Sequence, residues 1–168
     1  MKLPKVSLTV VALLLAMALM VPLSASATPG VINTAVQGTA TGGNSFVGNL
    51  AITGFKLVNG TINATGTLTG NVLNAAGNVI GSIGSIPVSV PLTAINGSCP
   101  ILNLTLGPLH LNLLGLHIDL NQVVLNITAQ SGPGQLLGNL LCDVANLLNN
   151  GGTLQAILND LNQILTQL

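Results

Sequence analysis

Aromatic and charged side chains are nearly missing from this 168-residue chain, which has two Phe, no Trp or Tyr, no Arg and no Glu. Lys2, Lys5 and Lys56 are its only basic side chains besides two histidines, and Asp119, Asp143 and Asp160 are its only carboxylates. Each shortage excludes a class of function. Without a basic field nothing attracts a phosphate backbone, so nucleic-acid binding is not expected. Without aromatic platforms, neither bases nor flat sugar faces have a surface to stack on. Three scattered Asp and no Glu leave no natural carboxylate pair for glycoside hydrolysis. No G-x-S-x-G elbow is present, and no glycine loop leads into a helix with a phosphate-binding Lys. The chain is therefore expected to be no enzyme and to use no cofactor. Low charge also removes repulsion between copies, so self-association is an expected property.

What is present begins with an export signal. Lys2 and Lys5 precede an apolar run over residues 6–21, followed by Pro22 and the small residues Ser24-Ala25-Ser26-Ala27. That order of basic, apolar and small residues reads as a cleavable signal peptide over 1–27, with Thr28 as the new N-terminus. The remaining segment, 28–168, is read as one secreted domain with one Lys against three Asp, a formal charge of −2. No Cys follows the cleavage site, no twin Arg precedes it, and no basic, apolar anchoring tail closes the chain. An extracellular or cell-surface protein with no membrane span after processing is the expectation.

From residue 31 to about 130 the apolar period is two. Phe46, Gly48, Leu50 and Ile52 alternate with Val47, Asn49, Ala51 and Thr53. Asn59-Gly60 is the strongest hairpin signal in the chain, because both residues accept the positive φ of a type I′ turn. The return strand puts Ile62, Ala64, Gly66, Leu68, Gly70 and Val72 on one face and a threonine-rich row on the other. Pro87 and Pro91 bracket Val88-Ser89-Val90, which suits an edge strand or connector. From Leu102 the chain reads in sevens, LNLTLGP, LHLNLLG, LHIDLNQ and VVLNITA, with apolar residues at positions one, three and five. Five strand residues and a two-residue turn explain that period, with turns at Gly107-Pro108, Leu114-Gly115 and Asn121-Gln122. The last two are poor primed-turn sequences, so longer strands bent at those points are the competing reading.

After Ser131-Gly132-Pro133-Gly134 the period lengthens. Leu136, Leu137, Leu140, Leu141, Val144, Leu147 and Leu148 form a helical stripe, and so do Leu154, Ile157, Leu158, Leu161, Ile164, Leu165 and Leu168. Asn149-Asn150-Gly151-Gly152 separates the two, and Thr153 is the expected N-cap of the second. Strands over 31–130 followed by helices over 134–168 define an α+β fold. Its antiparallel sheet should be strongly curved or barrel-like, with two C-terminal amphipathic helices packed on one face or across a barrel mouth.

Cys99 and Cys142 are the only cysteines. In an exported chain an even count reads as a disulfide, here tying the strand after a Gly97 turn to the first helix. His110, His117 and Asp119 are the one group with ligand chemistry for zinc or copper. Their alternation is common on solvated strands and matches no established metal motif, so no metal is expected.

The stretch over 101–148 resembles a block of uncharacterised secreted bacterial proteins that join a signal peptide to LGPL-x-L-NLLGL, QV-x-L-x-IT and GNLLC segments. The matching residues are Leu106-Gly107-Pro108-Leu109, Asn112-Leu113-Leu114-Gly115-Leu116, Gln122-Val123, Ile127-Thr128 and Gly138 to Cys142. The resemblance implies export and bacterial origin, and no established activity. Two functions fit these readings. One is a non-catalytic structural or interaction protein of the envelope or extracellular matrix. The other is a carrier of an apolar, lipid-like ligand in a β-lined pocket covered by the helices.

Overall fold

A computed structural model describes residues 30–168 of the chain. The signal peptide and cleavage site expected over 1–27 lie outside the described residues. Eight strands, β1 (Ile32–Ala40), β2 (Asn44–Val58), β3 (Thr61–Leu73), β4 (Val79–Ser98), β5 (Ile101–Leu106), β6 (Leu109–Leu113), β7 (Leu116–Leu120) and β8 (Val123–Thr128), precede two helices. The helices are α1 (Leu136–Asn149) and α2 (Leu154–Gln167). All strand pairings are antiparallel, in the order β6-β7-β1-β2-β3-β4-β5-β8. Bulges between Ile52 and Gly54, Leu68 and Gly70, and Leu92 and Ala94 bend the sheet, so it curls without its hydrogen bonds closing a barrel.

The alternation in β2 and β3 has the predicted effect. Phe46, Leu50, Ile52, Ile62, Ala64, Leu68 and Val72 are buried on the inner face. Asn59 and Gly60 take φ of 50° and 79°, the left-handed pair that a type I′ turn needs. Space matters as much as polarity here. A methyl group at Gly70 would overlap the ring of Phe46, which lies fully buried across the strand pair.

Strand β4 keeps the expected edge character at Val88-Ser89-Val90, which pairs with β3 alone, and corrects its length. It is a 20-residue strand near the middle of the sheet order, not a short edge or connector. Its partners change along its length: residues 79–91 pair with β3, and residues 92–98 pair with β5. Pro87 sits in the half with a neighbour on one side only, so its missing N–H faces a local edge. Pro91 sits at the switch, where its carbonyl accepts from the Gly107 N–H at 2.8 Å.

The sevenfold repeat gives the four predicted strands, with a different connection. Ile101↔Thr128, Leu106↔Val123, Leu109↔Leu120 and Leu113↔Leu116 all lie in one register. Strands β5 to β8 are thus a single long hairpin, bent where Gly107-Pro108 lies opposite Asn121-Gln122. Those two breaks are corners, not hairpin turns: Asn121-Gln122 follows the competing reading, whereas Gly107-Pro108 was expected to turn and Leu114-Gly115, expected to turn poorly, makes the reversal. The only reversal is at Leu114-Gly115, with φ of 54° and 95°. The near half of this hairpin joins β4 through β5, and the far half joins β1 through β7. The two ends of the sheet are therefore two halves of one hairpin.

The helices pack at the end where β1 and β5 begin and β2, β4 and β8 finish. Ala145 of α1 lies against Gly97 of β4, and Asn162 of α2 bonds to Phe55 of β2. Thr153 caps α2 by accepting from the Ala156 N–H, as its position predicted. Gly151, at φ 72°, ends α1, and the Gly152 N–H returns to the Leu147 carbonyl at 2.6 Å. Helix and sheet side chains form one apolar cluster that includes Leu102, Leu104, Leu141, Val144, Leu161 and Ile164.

Candidate functional site: an open seam between β1 and β8

Where the long hairpin bends, it leaves a gap. Strand β7 pairs with residues 38–40 of β1, and the Asn121 N–H still reaches the Gln37 carbonyl at 2.9 Å. Beyond that bond β8 turns away to pair with β5. Residues 32–37 of β1 face β8 across two adjoining grooves of about 580 and 300 Å³. The first is lined by residues 31–34, 124–128 and Leu168, the second by 34–37 and 121–124, and none of these residues has a charged side chain.

Backbone alternation says which groups face the gap. Gln37 directs its carbonyl away from β2, so Ala35 and Asn33 do the same. On the other bank, the Ala129 N–H points to the Pro100 carbonyl beside β5. Val124, Asn126 and Thr128 therefore turn their backbone groups toward the seam. The floor is apolar, with Ile32, Val36, Leu125 and Ile127 on the inner face.

The seam stays open for a reason of register. Inner residues of β7 are even-numbered, Leu116, Ile118 and Leu120; those of β8 are odd-numbered, Val123, Leu125 and Ile127. Continuing the β7–β1 register would set inner Val36 opposite outer Gln122, and inner Ile32 opposite outer Asn126. A one-residue slip puts every side chain on the wrong face. Strand β8 is meanwhile held by β5, with Leu125 opposite Leu104.

The side chains singled out in the sequence lie elsewhere. His110 and Asp119 are direct cross-strand partners on the outer face of the hairpin, with Nδ1 and Oδ1 2.6 Å apart. Both are well exposed. His117 pairs with Asn112 instead, and its backbone N–H donates to the Thr41 hydroxyl at 2.8 Å. Among the described residues, no group of three or more His, Cys, Asp or Glu side chains is gathered as a metal would require. Cys99 and Cys142 are joined as a disulfide. The turn there is two residues later than expected: Gly97 lies within β4, and Cys99-Pro100 itself makes the β4–β5 turn.

Two features were not anticipated. Asp143 and Asp160 share a groove of about 430 Å³ between the helices, with Asn146 and Asn150. Burial, and secondarily the Asp143 carboxylate, hold the Asp160 carboxyl above its ordinary range. The seam was not foreseen either. Its only trace in the sequence is the odd period of seven, which reverses the inner face at every break.

Sheet, helices and seam together define an α+β domain whose curled antiparallel sheet is stoppered at one end by a helical pair. Comparison with protein families, curated proteins and solved structures finds no match for this chain. No helix among the described residues is long and apolar enough to cross a membrane.

Proposed function

We propose that this protein is a non-catalytic interaction domain of the envelope or extracellular matrix, and that it takes up an extended segment of its partner along the β1–β8 seam. The observation that carries this reading is the pair of backbone rows, unpaired among the described residues, that flank an open groove with an apolar floor. Such edges recognise an added strand through main-chain hydrogen bonds, and alternate side chains set the specificity. The partner segment alternates apolar with polar residues and carries few charged side chains, since no charged side chain lines the seam. Its binding is insensitive to salt. Action outside the cytoplasm rests on the leader sequence, the Cys99–Cys142 bridge and the resemblance over 101–148. A lipid carrier is favoured less, because the inward side chains pack on one another in a single cluster.

Amide hydrogen exchange on the secreted protein tests this. The N–H groups of Asn33, Ala35, Val124, Asn126 and Thr128 should exchange fast in the free protein. A synthetic peptide with the alternating sequence of β5 should slow them. Slow exchange without peptide would mean a closed seam and would end the proposal. A stoichiometric lipid recovered by organic extraction would favour the carrier instead.

A further inference from the structure

Strand β6 is the other end of the sheet order; short as it is, it carries few of the devices that usually guard an edge within its span. It has no Lys, no bulge and no Pro between Leu109 and Leu113. Its inner row also differs from that of its sequence twin. In β5, Leu102, Leu104 and Leu106 are each 0 % exposed. In β6 the equivalent Leu109, Leu111 and Leu113 are only half-buried, because β7 is its sole strand neighbour among the described residues. The free edge can be specified by residue. Leu113 and Leu116 flank a two-residue turn and so bond to each other; by alternation Leu111 and Leu109 also bond to β7. His110 and Asn112 are left with backbone groups pointing outward.

We infer that β6 pairs antiparallel, about a two-fold axis at Leu111, with β6 of a second copy of this chain. In that register each His110 meets the other copy's Asn112, and the two residues exchange N–H and C=O bonds. Leu111 faces its own counterpart in the intervening non-bonded pair. Across the outer surface of the four joined strands the order becomes Asp119, His110, Asn112, His117. No two like charges are opposed, and His110 keeps its own Asp119. The contact limits itself. Pro108 offers no N–H at one end and the Leu114-Gly115 turn closes the other, so the pairing is isologous and stops at a dimer. It is distinct from the seam, which lies between β1 and β8 and involves no residue of β6.

Sedimentation equilibrium of the secreted protein, over about a hundredfold range of concentration, should show monomer converting to dimer. Asn112→Pro removes the outward N–H together with the turn bond in which Asn112 Oδ1 accepts from the Gly115 N–H. It should weaken the dimer by about tenfold or more, and Asn112→Asp, which keeps that acceptor, is the control for the turn. If that variant misfolds by circular dichroism, Asn112→Lys probes the same edge with a charge. Leu111→Cys should yield a covalent dimer on mild oxidation. A monomer at every concentration overturns the inference. So does a dimer that ignores Asn112→Pro and Asn112→Lys and fails to cross-link through position 111, or a species that grows without limit.

Discussion

Asn162 of α2 acts as a strand partner for Phe55 of β2: its Oδ1 accepts from the Phe55 N–H at 2.8 Å, and its Nδ2 donates to the Phe55 carbonyl at 3.0 Å. The bulge at residues 52–54 brings Phe55 to the inner face, and the helix supplies what the ladder does not. Asn162→Leu should cost about 2 kcal/mol, because it leaves two part-buried backbone groups unpaired. Denaturant unfolding measures it. An unchanged midpoint would mean that water replaces the amide without loss.

Phe46 and Gly70 form a matched pair of large and absent side chains. Gly70→Ala should destabilise by about 1–3 kcal/mol through overpacking. Adding Phe46→Leu should recover part of that loss, so the two changes together cost less than their sum. Strict additivity in thermal unfolding would show that the ring is not what fills the space.

The Asp160 carboxyl, raised by burial and then by Asp143, gives a pH dependence of defined sign. A folded-state pKa above the unfolded one means that the fold prefers the protonated acid. Its contribution is therefore full below the ordinary Asp range and is lost as pH rises through the folded pKa. Asp160→Asn should melt higher than the parent at neutral pH, and the advantage should vanish near pH ~3, below the unfolded Asp pKa. An advantage independent of pH would point to a cause other than ionisation.

The Cys99–Cys142 bridge spans 43 residues of sequence. In the chain-entropy view its removal by paired Ser substitutions should cost about 4 kcal/mol. That is a large share for a chain whose only acid–base side-chain contact among the described residues is the exposed His110–Asp119 hydrogen bond. Thiol labelling of the native protein should find no free cysteine, and two reactive thiols would reject the bridge.

Leu114 is fully exposed and left-handed, at φ 54°, in the tip of the long hairpin. A leucine gains nothing there by burial and is strained by its Cβ. Leu114→Asn should stabilise by about 1 kcal/mol, since Asn accepts this conformation. A loss of stability instead would mean that the side chain has a contact to lose.

Most of the fold was legible because apolar period translates directly into burial. Alternation located β2 and β3, the sevenfold units located β5 to β8, and the wider stripes located both helices. Connectivity was less legible. A two-residue break reverses the inner face whether the chain folds back or merely turns a corner, so Gly107-Pro108 and Leu114-Gly115 look alike in pattern. Only pairing with β4 and β1 distinguishes them. Strand β4 was obscured because proline argues against a central strand, and a strand that changes partners midway is central overall yet an edge locally. Asn162 and Asn139 were also silent. Each sits where a polar residue is ordinary on a helix, yet Asn139 pairs with both backbone groups of Gly132 as Asn162 does with Phe55. The seam was invisible for the same reason as the corners: it follows from which neighbour β8 chooses.

The division of one hairpin between the two ends of the sheet also orders assembly. The reversal at Leu114-Gly115 is local and can form early, whereas joining β7 to β1 closes a span of roughly eighty residues, the dearer step in chain entropy. The hairpin then works as a buckle. Cutting the three-residue contact between β7 and the end of β1 would release its far half while the near half stayed fastened to β4, so the sheet would unroll from one side only.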